Sequence, residues 1–449
     1  MAPPQFITMA NKFQSVLDED VLNERGQQVG FAKRERLITP FRLGLSVVAS
    51  MATHQVQTLA DLHRQFNELW ELESDYKAFY KHLLKSTSPE FFRTSLCHIM
   101  SQLTMKVLGC EAGQAFSEFH RLLLQDGSSF ALHAALAEVF PGRFTAVSPA
   151  AVELHCTLDL LQDAPITMAL SPDTDSEHDY RPEPKSLRGD LFLADRGYLD
   201  LAYLRDIDYH GGFFIVRSKA GLNPRVIDAS REDGQRLKSC QERDLQAIIA
   251  KFPKRQRVEL DVEWLIEGKP FRVRLLVRWN PETKYFDYLL TNLPQDRYSI
   301  NIICLGYKLR WQVELLFKEW KSYTNLHKFG TAKETISEAL IWASLSASAI
   351  KRFLAHAAEH LLEVVISTRK ASMPSAYNLP ELFRALRYGD GPWYRRAFKA
   401  MIDYLGKNAR RAHPERDART GRSRLGLKPI FQLFEQRAFT DNDKQPAAA

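Results

Sequence analysis

Asp126, Asp195 and Glu314 are the side chains whose placement in the sequence points to chemistry. Asp126 follows the apolar run Leu122–Leu124 and precedes Gly127, and Asp195 follows Leu191–Ala194 and precedes Arg196-Gly197. Both read as residues at the ends of strands, and in an open α/β sheet such ends converge on one edge where ligands bind. Taken alone, either aspartate reads first as a turn residue or a helix cap. Glu314 stands in a segment of helical periodicity. With Tyr307 set at zero and about 100° per residue, Arg310 falls at about 300°, Lys321 at about 320° and Glu314 at about 340°. Leu305, Leu309, Val313, Leu316, Phe317 and Trp320 fill the neighbouring arc. A plain Glu314–Lys318 surface pair would be worth only about 0.3–0.5 kcal/mol. That pair does not account for Arg310 and Lys321 on the same stripe, where partly buried charges need partners or a ligand.

Two aspartates and a glutamate, with no His or Cys beside them, form a hard-oxygen donor set that suits Mg²⁺, with Mn²⁺ able to substitute. Two such ions about 3.5–4 Å apart clamp the attacking and leaving oxygens of an in-line phosphoryl transfer. Arg310 with its bidentate fork, Lys321 as a point charge and Tyr307 would hold phosphate oxygens beside them. Cutting or joining of nucleic acid follows from these residue types.

The elements that must position them read as follows. Residues 1–115 are helical in pattern: Thr58 with Asp61 predicts a helix start, with Leu59, Leu62, Phe66 and Leu69 at helical spacing behind it. Ser74 opens a second amphipathic segment, Asp75–Lys85, in which Lys77, Lys81 and Lys85 recur as a basic stripe. Two short helices with a basic second one predict helix-turn-helix contact with DNA; the alternative is a solvated lysine face on a core helix. Short apolar runs then predict strands at Leu122–Leu124, Val152–Leu161, Ile166–Leu170, Leu191–Ala194 and Phe213–Val216, with a helix at Leu199–Leu204. Val258–Ile266, Phe271–Trp279 and Tyr285–Thr291 predict an antiparallel meander. From Ile300 to about His360 the pattern is helical again. The segment 395–428 carries eleven bases against Asp403, Glu415 and Asp417, a larger excess than the net +7 of the whole 449-residue chain. Basic regions at both ends of the chain suit a polyanion.

Composition narrows the class. At 45% hydrophobic residues the chain can bury real cores and is not disordered. Cys97, Cys110, Cys156, Cys240 and Cys304 are odd in number and scattered, so neither a disulfide framework nor a structural zinc site is expected. The start lacks a signal-peptide pattern, and the most apolar stretches are too short to span a bilayer. A protein of a reducing compartment, with no membrane partner, is expected.

Tyr307-x2-Arg310-x3-Glu314-x6-Lys321, within YKLRWQVELLFKEWK, resembles the YREK signature of DDE transposases of insertion-sequence family four. Gln125-Asp126-Gly127-Ser128-Ser129 is similar to that family's first-aspartate motif and Ala194-Asp195-Arg196-Gly197-Tyr198 to its second. Leu289–Pro294, Phe140-Pro141-Gly142 and Val152-Glu153-Leu154-His155 also sit where relatives have similar residues. The likeness spans about 120–325 and fades at both ends.

The resemblance implies an RNase H-like mixed α/β sheet with a β-rich insertion, between helical N- and C-terminal regions. It divides the chain into a helical DNA-binding domain (1–115), a catalytic domain (116–218 with 298–360), an inserted antiparallel β domain (219–297) and a basic helical C-terminal region (361–449). Asp126, Asp195 and Glu314 become the catalytic metal ligands, and Tyr307, Arg310, Lys321, Lys77, Lys81 and Lys85 the DNA contacts. The implied activity is cut-and-paste transposition: binding of insertion-sequence ends, Mg²⁺-dependent hydrolysis, and transfer of the freed 3′-OH to target DNA. Double-stranded DNA, as terminal inverted repeats and as target, is the implied partner. A homodimer on paired ends and a bacterial, cytoplasmic, nucleoid-associated setting are implied too. An inactive or domesticated DNA-binding regulator, or a same-fold nuclease without strand transfer, is the alternative. Some relatives hold a flipped base on a tryptophan of the inserted domain; here Tyr288 would have to stack instead. Asp179 and Asp190 are secondary acids, and His155 reads as a satisfied sheet histidine.

Overall fold

The computed structural model describes residues 4–32, 36–53, 58–103, 116, 118–162, 164–219, 221–310, 314, 317, 320, 331–373, 375–389 and 391–412. Lys33, Arg34, Cys110, Lys318, Lys321 and the bases from Arg416 to Lys428 lie outside these residues.

The chain opens with helices α1 (Pro4–Val16), α2 (Glu19–Gln28), α3 (Pro40–Thr53), α4 (Leu59–Trp70), α5 (Tyr76–Leu83) and α6 (Ser88–Leu103). The expected start of α4 is a full capping box: Thr58 Oγ1 accepts from Asp61 N–H while Asp61 Oδ2 accepts from Thr58 N–H at 2.9 Å. The next helix begins one residue later than its spacing suggested. Asp75, rather than Ser74, is its cap, accepting from Ala78 N–H at 3.0 Å. Ser74 is buried instead and donates to Asn67 Oδ1 at 2.7 Å.

Ten strands follow: β1 (Leu122–Ala131), β2 (Ala151–Asp159), β3 (Ala164–Pro172), β4 (Leu191–Ala194), β5 (Phe213–Arg217), β6 (Arg225–Arg231), β7 (Arg243–Asp244), β8 (Val258–Ile266), β9 (Lys269–Asn280) and β10 (Tyr285–Thr291). Helix α7 (Leu201–Tyr209) links β4 to β5, and the short α8 (Leu245–Ile248) follows β7. Among the described residues they form one sheet in the order β3-β2-β1-β4-β5-β10-β9-β8-β6-β7. β1, β4 and β5 run parallel, and β2 lies antiparallel between β1 and β3, the RNase H-like half of a mixed sheet. β8, β9 and β10 are the expected meander. The inserted strands do not form a separate sheet: β10 pairs antiparallel with β5 through Leu289↔Arg217, Leu290↔Val216 and Thr291↔Ile215. The pairing satisfies the outer edge of β5, which would otherwise stand open.

The chain closes with α9 (Ile300–Leu309), α10 (Glu334–Leu362), α11 (Thr368–Ser372), α12 (Ser375–Leu386) and α13 (Pro392–Asn408). Helix α10 is apolar almost all round, so it must be enclosed on several sides. It packs on α6, α3 and α13, with the terminal helices rather than with the sheet that its sequence position suggested. Phe13 of α1 stacks on Phe353 at 5.7 Å and meets Phe398 at 5.9 Å. Tyr394 Oη donates to Ala10 O at 2.6 Å, and Arg384 and Arg387 of the α12 region pair with Glu68 and Glu71 at 2.6 Å. The N-terminal helices and helices α10 to α13 therefore share one core. No helix of the described residues is long and apolar enough to cross a membrane.

Phe13 is fully buried in that shared core, and Phe→Ala at such sites costs about 3–5 kcal/mol. Phe13→Ala is expected to lower hydrogen-exchange protection in α13 as well as α1. Unchanged protection in α13 would show that the two ends fold independently.

Candidate active site

The parallel pairing of β1 with β4 ends at Gln125↔Ala194, and that of β4 with β5 at Ala194↔Val216. The next residues along these strands are Asp126, Asp195 and Arg217, three neighbours in one row with side chains on one face. Asp126 was expected to end its strand. β1 instead continues to Ala131, because β2 stays paired with it beyond the row, Asp126 facing Cys156. Asp195 precedes a 3₁₀ turn at Arg196–Tyr198, yet its carboxylate makes no capping hydrogen bond there. It accepts from Tyr307 Oη at 3.3 Å instead, so the cap reading fails for this residue.

Helix α9 starts at Ser299, whose Oγ accepts from Ile302 N–H at 3.4 Å, and lays Tyr307 and Arg310 over the row. Arg310 is only 7% exposed. Its Nη1 donates to Asp126 Oδ2 at 3.3 Å and its Nη2 to Glu314 Oε1. Asp126, Asp195, Tyr307, Arg310 and Glu314 thus come together from three distant segments. Burial pushes the Asp126 carboxyl up to about 7, helped by Glu314 and Asp195 and opposed by Arg310 and the Gly127 N–H. Burial works against the Arg310 charge, but Tyr307 and the three acids hold its pKa above the usual value. Burial also raises the Tyr307 hydroxyl, leaving it a donor. Among the described residues no three acid, His or Cys side chains are grouped closely enough to enclose an ion, the Arg310 fork standing between Asp126 and Glu314. The donor types, three half-buried carboxylates joined through Arg310 and Tyr307 with no nitrogen or sulfur ligand beside them, are those that suit a hard divalent cation.

Of the other residues singled out, Lys321 lies outside the described ones. Lys77 and Lys81 are exposed on α5. Lys85 lies past the helix end and is engaged internally: Nζ donates to Phe31 O at 2.7 Å and sits 4.8 Å from the Phe31 ring centroid. Asp190 is taken by Arg121 Nε at 3.0 Å, and Asp179 is exposed in a short 3₁₀ turn. His155 is held by Ser171 Oγ at 2.9 Å and stacks on Tyr180 at 4.0 Å; burial lowers its pKa to about 4, so it is neutral. Tyr288 is buried in the β-rich half, which removes it as a stacking surface for a base.

Glu153 was not singled out as an acid, although a carboxylate inside the apolar run Val152–Leu161 is a signal. On β2 it is 3% exposed, with its Oε1 only 2.3 Å from where a Cβ on Gly127 would stand. A side chain at residue 127 would displace the Glu153 carboxylate from the place it holds beside the strand that carries Asp126. Burial and the nearby Glu177 push Glu153 up to about 7, with Arg143 at 3.5 Å opposing.

The family model of the transposase DDE domain matches residues 118–350. The chain belongs to that family of DNA transposases, enzymes that cleave DNA and transfer its strands. It is 22% identical over 372 residues to the transposase for insertion sequence element IS231B of Bacillus thuringiensis subsp. berliner, covering 74% of this chain and 76% of the relative. With the transposase for IS231E of B. thuringiensis subsp. finitimus it shares 23% over 456 residues, 90% of this chain and 92% of the relative. A stretch of 60 residues, 13% of this chain and 16% of the relative, is 42% identical to the putative transposase InsL for IS186A of Escherichia coli (strain K12). Among solved structures, the cryo-EM piggyBac transposase synaptic complex with hairpin DNA covers 89% of this chain and 85% of that chain at 11% identity and a TM-score of 0.41.

Glu153 gives a pH signature. An unfolded glutamate titrates near 4.5, the folded one at about 7. Between these values the folded state keeps a proton that the unfolded state has lost, so this contribution is whole below the window and falls as pH rises through it. Glu153→Gln stays neutral and is expected to gain on the parent by roughly 1–3 kcal/mol across that window, read from urea midpoints. A gap independent of pH would refute the assignment.

Proposed function

We propose that Asp126, Asp195 and Glu314 bind Mg²⁺, or Mn²⁺ in its place, and that this edge hydrolyses the ends of an insertion sequence and joins them to target DNA. The observation that carries the reading is the bridge from Arg310 to Asp126 and Glu314 beside the Tyr307–Asp195 hydrogen bond. The ions, when bound, supply Lewis-acid activation of the attacking and leaving oxygens. Arg310 holds the place of that positive charge while the site is free of substrate. Loading the site would shift its fork from the carboxylates to phosphate oxygens, for which a planar guanidinium is matched. Tyr307 orients Asp195 through its hydroxyl, and Lys321 adds a phosphate contact. Water first displaces a 3′-oxygen from phosphorus at the element's end; that 3′-hydroxyl then displaces a 3′-oxygen in the target. A homodimer on paired ends would let two such sites act together.

Replacing Asp126, Asp195 or Glu314 by Ala is expected to reduce Mg²⁺-dependent cleavage of labelled terminal-repeat DNA by several orders of magnitude while end binding persists. Nicking retained by Glu314→Ala would overturn the ligand assignment. Binding without cleavage or joining by the parent chain would favour the regulator reading.

For recognition, we assign the helices before residue 104 to the end sequence and residues 413–449 to phosphate contacts without sequence preference. Lys77 and Lys81 are the exposed bases of α5, whereas Lys85 serves packing. Lys77→Ala with Lys81→Ala should erode the preference for end over random DNA. Truncation must spare α13, whose Phe398 and Met401 are core residues. Deleting 413–449 should flatten the slope of log affinity against log salt by about 0.9 for each phosphate that is no longer neutralised, with the preference kept. The reverse pattern would exchange the two roles.

A further inference from the structure

Arg217 continues the row of Asp126 and Asp195 into a part of the sheet that the proposed chemistry does not use. Beyond it, a cavity of about 230 Å³ lies among β5, β9, β10 and α9. Four bases line it or stand at its walls: Arg217, Arg257, Arg278 and Lys308. Asp287 organises two of them, accepting from Arg217 at 2.8 Å and from Arg278 at 2.9 Å. Burial would raise that carboxyl, but the two guanidiniums hold it below the usual range. Arg257 pairs with Glu232 at 3.3 Å. The three arginines against Asp287 and Glu232 already leave a positive excess. The remaining lining is apolar from Leu276, Val277, Leu289 and Cys304, and polar from Asn280, which donates to Asp287 at 3.1 Å; Tyr307 forms the wall shared with Asp195.

We propose that this cavity binds the sugar–phosphate unit of a nucleotide one or two positions from the reacting phosphodiester, on the same strand. The proposal rests on the reading of the adjacent site as the reaction centre. A positive rim over an apolar wall matches an anionic phosphate attached to a deoxyribose. The volume is below the roughly 300 Å³ at which drug-sized pockets begin, so one such unit fits and a dinucleotide does not. Strands lie about 4.8 Å apart, which puts the space over β5, β10 and β9 roughly 5–15 Å from Asp195, the reach of one or two nucleotides. Asp287 directs the Arg217 and Arg278 guanidiniums to this cavity.

The test uses the full chain and duplexes of the terminal repeat of the element that encodes it. A single neutral methylphosphonate linkage is moved stepwise through the positions flanking the cut, and binding is read by anisotropy. For the parent, one linkage within two nucleotides of the cut should weaken binding about tenfold, the size of one charge-assisted hydrogen bond. In Arg278→Gln, and separately in the exposed Lys308→Gln, sensitivity at that position should largely vanish while other positions keep theirs. Arg278→Lys should restore part of it. A loss of affinity in Arg278→Gln that leaves the position-by-position pattern unchanged would mean that the cluster only braces the sheet, and would overturn the proposal. Inorganic phosphate at matched ionic strength should displace the DNA no better than chloride; selective displacement would mark a free-anion site instead. Failure of the parent to cut any end duplex, with the pattern intact, would sink the reaction-centre reading and leave the subsite.

Discussion

The parallel ladder between β1 and β4 is the constraint on which the rest of the site depends. Two strands that run the same way and end their pairing at the same level place Asp126 and Asp195 side by side on one face. Burial, with Glu314 and Asp195 nearby, makes the Asp126 carboxyl resist ionising. The structure answers with Arg310, delivered by α9 from the far side of the insertion. Its charge sits between Asp126 and Glu314, and the cost of burying a guanidinium is offset by the acids that it joins.

That arrangement also sets what the neighbouring elements can be. β2 pairs beside the Asp126 strand, and its Glu153 carboxylate takes the space that a side chain at Gly127 would need. β5 continues the row with a base rather than an acid, and β10 docks on it to extend the sheet. The insertion therefore shares backbone hydrogen bonds with the catalytic strands. A displacement of its strands would be felt at Arg217, next to Asp195.

The helical part solves a different problem. Helix α10 has no polar face wide enough to stand in water, and the helices from both ends of the chain close around it. Hydrogen bonds such as that from Tyr394 to Ala10 join segments nearly the whole chain apart. The N-terminal helices and α13 are therefore tied through one core.

The sequence by itself determined whatever depends on neighbours a few residues away. The strands Leu191–Ala194, Val258–Ile266 and Tyr285–Thr291 have the ends that their apolar runs and turns suggested. The Thr58–Asp61 box forms because both partners lie within one helical turn. Tyr307 lies in α9 as its spacing suggested, but α9 ends at Leu309 with Arg310 as its C-cap, short of Glu314. Tertiary structure alone decided that Asp126 lies inside a strand, that the insertion joins the catalytic sheet, that Lys85 turns inward to Phe31, and that the N-terminal helices share a core with α10 to α13. These are choices among partners distant in sequence. Each is settled by the total of burial and hydrogen-bond satisfaction over the whole chain, set against the entropy of closing long loops. No local pattern of residue types carries that sum.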